Sequence, residues 1–480
     1  MIPKPETCNG CPAKPLSAHW VPDETVEGAE VMVMLQNPGQ SEVEGKRFEG
    51  YSGGREQWVP HHPAPAIGKT GFFQEQRLFP KAGLERGKNV SIGNVIRCRF
   101  GASNDLPPLS DLTLRQAILH CQTAHFRPPS TTRLFVAEGE YALWALTGEF
   151  NPRKVKDDED TDEAGRSISA WRGWMLPYRP PSEASLRLPS HPALYTPAVG
   201  ETPVLATYHT AFLFRSPWER TAAQRDWTKV GEYLAGTWPE PLPRIERRAP
   251  REWPVLAAWD TEFGRETGHL VRYSLAYRGR MVAMPKVWVV EAGFHSLGLP
   301  TLPAIRPTVI MHNSPADLKY LPAVLGTVDA DIAIEDTMFQ HSLLWSDLNH
   351  NLGYVGSLYA RTNRWKHLVE SNPVEYSAGD ALGTWDAWVG MNREMERDTQ
   401  TQAIYCQFLP LIPHIARSEA YGIRVNQARV KAVLMRLGAE QQEATRAAQA
   451  WCGFPINIGS SAQVGRWVYD IERVKGKRGR

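Results

Sequence analysis

The segment VLAAWDTEFG, from Val255 to Gly264, combines an apolar run with two carboxylates close to its end. The apolar run predicts a strand that is buried in a sheet. Side chains two residues apart on a strand point to the same face, so Asp260 and Glu262 project together. The segment therefore predicts an acidic site at the end of a buried strand.

Two later segments supply polar groups that can reach the same site. MHNSPADLKYL places Asn313 at the end of another predicted strand and Asp317 one helical turn later. YSAGDALGTWDAW places Tyr376 and Asp380 four residues apart, on one face of a predicted helix. Converging carboxylates repel one another unless divalent cations neutralise them. Two Mg²⁺ or Mn²⁺ ions held there would promote phosphodiester hydrolysis. The alternative interpretation is that the three segments form unrelated acidic patches on the surface.

The order and spacing of these segments resemble the three exonuclease motifs, DxE, NxxxD and YxxxD, of the proofreading domain of family A DNA polymerases. The resemblance implies an RNase H-like 3′–5′ exonuclease domain over residues 253–398 that trims the 3′ ends of DNA. It implies that the metal ligands are Asp260, Glu262, Asp317 and Asp380. By the same resemblance, Tyr376 orients the attacking water and Asn313 binds the substrate.

The C-terminal segment continues this resemblance. Residues 408–426 and 454–470 look like the beginning of the polymerase region. We expect residues 399–480 to form an incomplete, mainly helical module that is interrupted near Gly422. The sequence offers no later segment for the palm carboxylates or the fingers helix, so a separate polymerase polypeptide or a longer chain would have to supply polymerase chemistry.

Four apolar segments in the first half of the chain predict strands: residues 31–35, 89–96, 133–139 and 203–209. Helical stretches separate them, and this alternation favours a mostly parallel sheet with helices on both faces. Sheets of this kind bind ligands at the carboxyl ends of their strands. The chain as a whole is therefore predicted to belong to the α/β class.

Four of the six cysteines also lie in this half: Cys8, Cys11, Cys98 and Cys121. Thiols stay reduced in the cytosol, so these cysteines are predicted to be metal ligands or ordinary core residues and not to form disulfides. Four thiolates can hold either zinc or an iron–sulfur cluster, and spacing does not decide between the two. Cys406 and Cys452 lie in the helical tail and are predicted to be ordinary buried thiols.

Three motifs of this half resemble those of family 4 uracil-DNA glycosylases. MLQNPGQSEVEGKRFEGYSGG begins at Met34, GNVIRCRF at Gly93 and VLATYHTAFLFR at Val204. The resemblance implies a three-layer α/β/α domain over residues 1–236. It also implies a 4Fe–4S cluster with Cys8, Cys11, Cys98 and Cys121 as its ligands.

The same resemblance assigns roles in removing uracil from DNA. Phe48 would stack on the flipped base, Asn94 would bind the uracil edge and His209 would donate to the developing anion. Gln36 or Asn37 would position the attacking water, and Gly39 would lie against the substrate. Gln36 and Thr210 depart from the Glu and Pro that the family has at these positions. Two readings stay open: an active glycosylase, or an inactive platform that only binds DNA.

The composition sets the remaining expectations. The chain has 480 residues, of which 42% are hydrophobic and 22% charged, with a net charge of +2. These values favour a globular protein of several domains, with binding to nucleic acid depending on local charge. No secretory signal or membrane-length apolar run is visible, which predicts a cytoplasmic protein (in the host cytoplasm if viral) without a membrane partner.

Two segments of biased composition mark the organisation of the chain. The acidic residues 154–163 predict a solvated loop, and the Pro- and Arg-rich residues 237–252 predict an irregular interdomain linker. Three hypotheses for the whole chain follow. It is a bifunctional enzyme, an exonuclease with a DNA-binding cluster domain, or an accessory subunit that docks a polymerase.

Overall fold

The computed structural model describes residues 2–12, 19–100, 106–148, 168–179, 201–264, 267, 269–277, 286–291, 306–320 and 332–471. The chain forms two compact units, Met1–Ala416 and Arg417–Arg480. The acidic residues 154–163 lie outside the described residues, so the loop prediction is not addressed.

The N-terminal half of the first unit contains a five-stranded sheet, a hairpin and a short ribbon. Its strands are β1 (Ile2–Pro3), β2 (His19–Trp20), β3 (Val31–Leu35), β4 (Lys46–Ser52), β5 (Arg55–Pro60), β6 (Val90–Asn94), β7 (Leu134–Glu138), β8 (Met175–Pro177) and β9 (Pro203–Thr207). The sheet has the order β6-β3-β7-β9-β8, with only β8 antiparallel to its neighbour. All four predicted strands are confirmed, and they are mutually parallel.

Helices cover both faces of this sheet. They are α1 (Gln40–Glu44), α2 (Lys69–Phe73), α3 (Leu112–His125), α4 (Glu140–Thr147), α5 (Ile168–Trp171), α6 (Phe212–Arg215) and α7 (Arg220–Leu234). Alternate residues of β3 enter separate cores: Val33 packs in the core that contains Trp227 of α7, whereas Met32 packs in the core that contains Trp144 of α4. A strand that is apolar on both faces requires this double cover.

The second half of the first unit is built on a six-stranded mixed sheet. Its strands are β10 (Ile245–Glu246), β11 (Leu256–Phe263), β12 (Leu270–Tyr277), β13 (Lys286–Glu291), β14 (Thr308–Met311) and β15 (Ala333–Asp336). The order is β10-β13-β12-β11-β14-β15, in which β11 to β13 are antiparallel and β14 and β15 run parallel to β11. The predicted strands at β11 and β14 are confirmed.

The helices after these strands are α8 (Ser314–Leu318), α9 (Thr337–Leu344), α10 (Leu352–Tyr359), α11 (Pro373–Met395), α12 (Thr399–Phe408), α13 (Ile412–Tyr421), α14 (Gln427–Cys452) and α15 (Ser461–Arg466). The predicted helical tail with a break near Gly422 is confirmed. Among the described residues, none of these helices combines the length and the apolar composition that a lipid bilayer requires.

The long helix α11 positions two of the predicted site residues. Asn372 caps it by accepting the Glu375 N–H, and Pro373 occupies its first turn. Ala378 and Leu382 pack with Ala258 of β11 in one core. The spacing of Tyr376 and Asp380 then places both one turn apart on the same helix, as predicted.

The segment 237–252 is irregular over most of its length, as predicted, but two parts of it are bound to the folded core. Ile245–Glu246 adds a strand to the edge of the second sheet by pairing in parallel with β13. Trp238 is buried and donates its Nε1–H to the Ala360 carbonyl at 3.2 Å. Pairing with β13 and burial of Trp238 therefore order parts of this segment, although its proline-rich composition disfavours regular structure. The domain boundaries at residues 236, 253 and 398 and the family-level folds of the two halves stay predictions.

Candidate active sites

The first candidate site is a cluster of acids between β11 and α11. One oxygen each from Asp260, Glu262 and Asp380 lies within 4.8 Å of the others. Asp260 and Glu262 come from the carboxyl-terminal part of β11, and α11 packs against this strand. The predicted convergence of the first and third motifs is thus present in the structure.

Asp317, the fourth predicted acid, adjoins this group of three. Its Oδ1 accepts the Thr261 N–H at 2.9 Å and the Thr261 hydroxyl. Asn313, at φ 62° and ψ 55°, begins α8 in the left-handed conformation, which asparagine tolerates better than most residues. This turn carries Asp317 back toward β11.

Asp380 is tied to the protein through one oxygen. Its Oδ1 accepts the Trp365 Nε1–H at 2.6 Å and forms an ion pair with Lys366 Nζ at 2.7 Å. Lys366 Nζ also donates to the Tyr376 hydroxyl at 3.1 Å. Since Oδ1 is occupied in this way, Oδ2 is the oxygen of Asp380 available to a metal ion.

The electrostatics of the cluster fit divalent cations. Burial, followed by repulsion from Asp380, Asp317 and Glu262, raises the pKa of Asp260 well above its ordinary value. Burial also raises the pKa of Asp317 to about 7. Asp260 Oδ2 is buried and has no hydrogen-bond partner among the described residues. An anionic oxygen without a donor is a suitable ligand for Mg²⁺ or Mn²⁺, whose charge offsets this repulsion.

Sequence reasoning missed several residues around this cluster. Lys366 and Trp365 are separated from Asp380 by 14 and 15 positions, and no motif in the prediction includes them. Asp336, buried at the end of β15, accepts the Ser314 N–H at 2.7 Å and the Ser314 hydroxyl at 2.6 Å. It therefore holds the beginning of α8, the helix that carries Asp317.

Asn313 also lines an apolar cavity of about 510 Å³. The other walls include Met338, Phe339, Phe408 and Ile412. Asn313, the predicted substrate-binding residue, thus lies at a cavity. Among the described contacts, its side chain forms no hydrogen bond with the four acids.

The second candidate site lies at one edge of the first sheet. Asn94 ends β6, Gln36 and Asn37 follow β3, and His209 lies two residues after β9. Because β6, β3, β7 and β9 are parallel neighbours, their carboxyl ends share this edge. Asn94 is only 1% exposed, and neither its Oδ1 nor its Nδ2 has a partner among the described residues. A buried amide without partners indicates a position for a polar ligand or water.

His209 has a defined protonation state at this edge. Its Nδ1 accepts the Ala211 N–H at 3.2 Å, which leaves the ring proton on Nε2. Burial, and to a lesser extent the nearby Arg215, lowers the pKa of His209 to about 4. His209 is therefore neutral at pH 7 and can donate only from Nε2.

Sequence reasoning missed Glu138, the last residue of β7. Its carboxyl is buried and accepts from Gln74 Nε2 at 2.8 Å and from the Thr210 hydroxyl at 2.8 Å. Burial raises the pKa of Glu138 to about 7. Thr210 is thus held by an acid that the predicted motif did not include.

Two residues of the first glycosylase-like motif have structural contacts. Phe48 is buried, and its ring packs edge-on against Tyr51, Trp58 and Phe72 at centroid distances of 5.3, 5.0 and 5.3 Å. The Gly39 N–H donates to Glu42 at 2.5 Å, which closes the turn after β3. Phe48 is therefore part of a buried aromatic cluster and is not exposed to solvent.

Three of the four predicted cluster cysteines, Cys8, Cys98 and Cys121, are buried. Burial, with repulsion from the other three thiols among the further causes, raises the pKa of Cys98 to about 12. Among the described residues, however, no three cysteine sulfurs lie within 4.8 Å of one another. The prediction that the remaining two cysteines are buried was wrong at Cys406, which is exposed, and Cys452 is only partly buried.

No family model matches the chain, and no curated protein matches it. Among solved structures, the chain is similar to that of Brucella melitensis NrnC with bound Mg²⁺, at 20% sequence identity and a TM-score of 0.28. This match covers 38% of the present chain and 98% of the other. The similarity is too low to indicate a function, so the function is inferred from the side chains of the two sites.

Proposed function

We propose that this chain is a metal-dependent 3′–5′ exonuclease that acts on DNA, with the site at Asp260, Glu262, Asp317 and Asp380. The observation that carries the proposal is the convergence of three of these carboxylates within 4.8 Å, next to the fourth. A structural role would leave such acids paired with donors. The buried, unpaired Asp260 Oδ2 instead favours a ligand.

The chain's own groups have separate tasks in this reaction. Asp260, Glu262, Asp317 and Asp380 would hold two divalent cations. When bound, these ions supply activation of water and stabilisation of the leaving 3′-oxygen. The Tyr376 hydroxyl, fixed by its hydrogen bond from Lys366, orients the attacking water. Thr261 holds one oxygen of Asp317, and Trp365 and Lys366 hold one oxygen of Asp380. These contacts orient each carboxylate so that its second oxygen is available to a metal ion.

A 5′-labelled oligonucleotide tests the proposal. With Mg²⁺, the full chain should shorten it from the 3′ end, and EDTA should stop the reaction. Asp260→Asn and Glu262→Gln should each abolish degradation, since they preserve shape but remove a ligand charge. Asp398→Asn is the matched control, because Asp398 is an exposed helix cap. Degradation that survives Asp260→Asn would sink the assignment.

A second candidate function is supported by the edge of the first sheet. We infer that the N-terminal half binds uracil in DNA, with Asn94 at the base edge and His209 as the donor to the leaving base. The buried, unpaired Asn94 amide and the Nε2 proton of neutral His209 support this inference. Hydrolysis of the glycosidic bond then requires water positioned by Gln36 or Asn37, and a platform without activity is the competing reading.

The two readings differ in one assay. An oligonucleotide with a single uracil is incubated with the chain in EDTA, which silences the exonuclease, and is then treated with alkali. Cleavage at the uracil, lost in Asn94→Ala and His209→Ala, supports a glycosylase. Binding of the oligonucleotide without cleavage supports the platform.

We also propose that Cys8, Cys11, Cys98 and Cys121 hold a 4Fe–4S cluster. Cys8, Cys98 and Cys121 are buried, and the other three thiols are close enough to Cys98 to contribute to its raised pKa. A shared site of this kind can hold zinc or an iron–sulfur cluster, and the resemblance to family 4 uracil-DNA glycosylases favours the cluster. Iron and sulfide analysis of anaerobically purified protein tests this, with Cys98→Ser expected to lose both; a colourless protein that contains zinc would refute it.

A further inference from the structure

The segment 363–366, Asn-Arg-Trp-Lys, connects the acid cluster to the N-terminal half. Asn363 pairs with the backbone of Met175 in β8, accepting its N–H at 3.1 Å and donating to its carbonyl at 3.0 Å. Arg364 donates to the Ala170 carbonyl at 3.1 Å, and its guanidinium lies 4.2 Å from the ring centroid of Trp171. The first two side chains of the segment are thus held by the N-terminal half.

The next two side chains reach the acid cluster. Trp365 packs edge-on against Trp174 of the N-terminal half, with ring centroids 5.6 Å apart, while its Nε1–H donates to Asp380. Lys366, almost fully buried, pairs with the same Asp380 oxygen and donates to Tyr376. Four consecutive residues therefore link one half of the unit to a predicted metal ligand.

Buried charges hold the N-terminal side of this junction in place. Arg172 forms an ion pair with Asp226 at 2.6 Å and donates to the Ser357 hydroxyl of α10 at 2.6 Å. Lys229 donates to the carbonyls of Gly173 at 2.9 Å and Ser357 at 2.8 Å. Buried donors that would lose their partners on separation oppose any movement of the two halves.

We propose that Lys366 is a positioning residue of the exonuclease site and that the N-terminal half holds it in position through Asn363 and Arg364. This inference depends on the proposed exonuclease function. Together with Trp365, Lys366 occupies Asp380 Oδ1 and thereby leaves Oδ2 for a metal ion. Its second hydrogen bond, to the Tyr376 hydroxyl, helps to orient that group.

A positioning role for a cation has a distinctive signature. The ammonium group orients Asp380 and Tyr376, so its loss should lower turnover. The same positive charge repels incoming divalent cations, so its loss should make the acids bind them more tightly. A merely structural contribution would lower turnover together with ion binding and thermal stability.

The test uses the full chain with Lys366→Met, which keeps an unbranched side chain one atom shorter and without charge, and Lys366→Arg, which keeps the charge. Turnover on a labelled oligonucleotide at saturating Mg²⁺ should fall roughly 10–100-fold in Lys366→Met. Mn²⁺ alone, titrated calorimetrically without DNA, should bind about tenfold more tightly to this variant. Lys366→Arg should keep the Mn²⁺ affinity of the unsubstituted chain and recover part of the turnover.

The role of the N-terminal half is tested by Asn363→Ala, which removes both bonds to Met175 but no charge near the acids. We expect turnover to fall about tenfold with unchanged Mn²⁺ affinity. Asn89→Ala is the matched control, because Asn89 also accepts one backbone N–H and donates to one carbonyl, but only within the N-terminal half. Equal turnover in the two variants would overturn this part of the proposal.

The outcomes separate the inference from the function on which it depends. If the unsubstituted chain degrades DNA but Lys366→Met retains its turnover, or loses turnover with unchanged or weaker Mn²⁺ binding, the positioning role is wrong. If the unsubstituted chain does not degrade DNA, the proposed function fails, and tighter Mn²⁺ binding by Lys366→Met would still support the electrostatic part. Should melting curves show that Lys366→Met does not fold, Asn363→Ala and Lys366→Arg decide.

Discussion

Thr261 holds the carboxylate of Asp317 through two hydrogen bonds that end on the same oxygen, one from its backbone N–H at 2.9 Å and one from its hydroxyl. Thr261 lies between Asp260 and Glu262 on β11. The strand that carries the first two acids therefore also holds the carboxylate of Asp317, so β11 aligns three of the four acids.

Replacing Thr261 with valine should weaken the site without unfolding the chain. Valine keeps the β-branched shape and the backbone N–H but removes the hydroxyl donor, so Asp317 is held by one bond. We expect exonuclease turnover to fall roughly tenfold or more, with a loss of about 1 kcal/mol in the free energy of unfolding. Thr261→Ser, which keeps the hydroxyl, should retain most of the turnover; equal losses in both variants would contradict the hydrogen-bond explanation.

The acids of the exonuclease site could be predicted from the sequence because local geometry determines how they are presented. The alternation of a strand places Asp260 and Glu262 together, and the pitch of a helix places Tyr376 above Asp380. Neither rule depends on the rest of the fold. The order of the three segments along the chain, which resembles the order of the DxE, NxxxD and YxxxD motifs, then indicated that they form one site.

Other parts of the site depend on tertiary contacts that no local pattern reports. Lys366 reaches Asp380 only because the segment before it is held by the N-terminal half. In the sequence, Glu138 is only the last residue of a predicted buried strand. Its contact with Thr210 joins residues 72 positions apart, which no local pattern indicates. Ile245 was expected in a linker, but pairing with β13 outweighs the proline-rich context.

The pH dependence of stability should change when Glu138 becomes glutamine. Burial raises the pKa of Glu138 to about 7 in the folded chain, whereas glutamate in an unfolded chain titrates near about 4.3. The folded chain therefore binds the proton more tightly, and the stability that this proton provides is complete below about pH 4 and lost as the pH rises through about 7.

Glutamine mimics the protonated acid at every pH, and the unpaired Oε1 of Gln74 can accept from its amide. From about pH 5 to about pH 8, the unsubstituted chain should lose about 2 kcal/mol of stability that Glu138→Gln does not lose. Urea unfolding at the two pH values measures the difference. Parallel pH profiles for the two chains would show that Glu138 is ionised in the fold.

The buried ion pair between Arg172 and Asp226 should respond differently to single and double substitution. Asp226→Asn leaves the buried guanidinium without its counter-charge and should cost roughly 3–5 kcal/mol in the free energy of unfolding. The double change Arg172→Met with Asp226→Leu removes both charges and should cost less than Asp226→Asn alone. Denaturant unfolding of the three chains checks the order; a double variant that is the least stable would mean that the pair itself provides net stability.

A single methyl group on α11 should disable the exonuclease site. A Cβ built at Gly379 would overlap the ring of Trp365, the residue that donates to Asp380. Alanine is favoured over glycine in a helix by about 1 kcal/mol, but overpacking a filled core costs typically about 1–3 kcal/mol. The steric cost should therefore exceed the helical gain, so the free energy of unfolding should fall by up to about 2 kcal/mol. Displacement of Trp365 should also misalign Asp380, so turnover should fall even in the fraction of the chain that is folded.

Gly438 in α14 provides the matched control for this change, because a Cβ built there meets no atom within 4 Å. Gly438→Ala should raise stability by up to about 1 kcal/mol through helix propensity alone and leave turnover unchanged. Melting curves and exonuclease assays on both variants measure the two effects. If Gly379→Ala keeps full turnover, then contact between Trp365 and Asp380 is not needed to align the acids, and the hydrogen bond at 2.6 Å serves only the packing of α11.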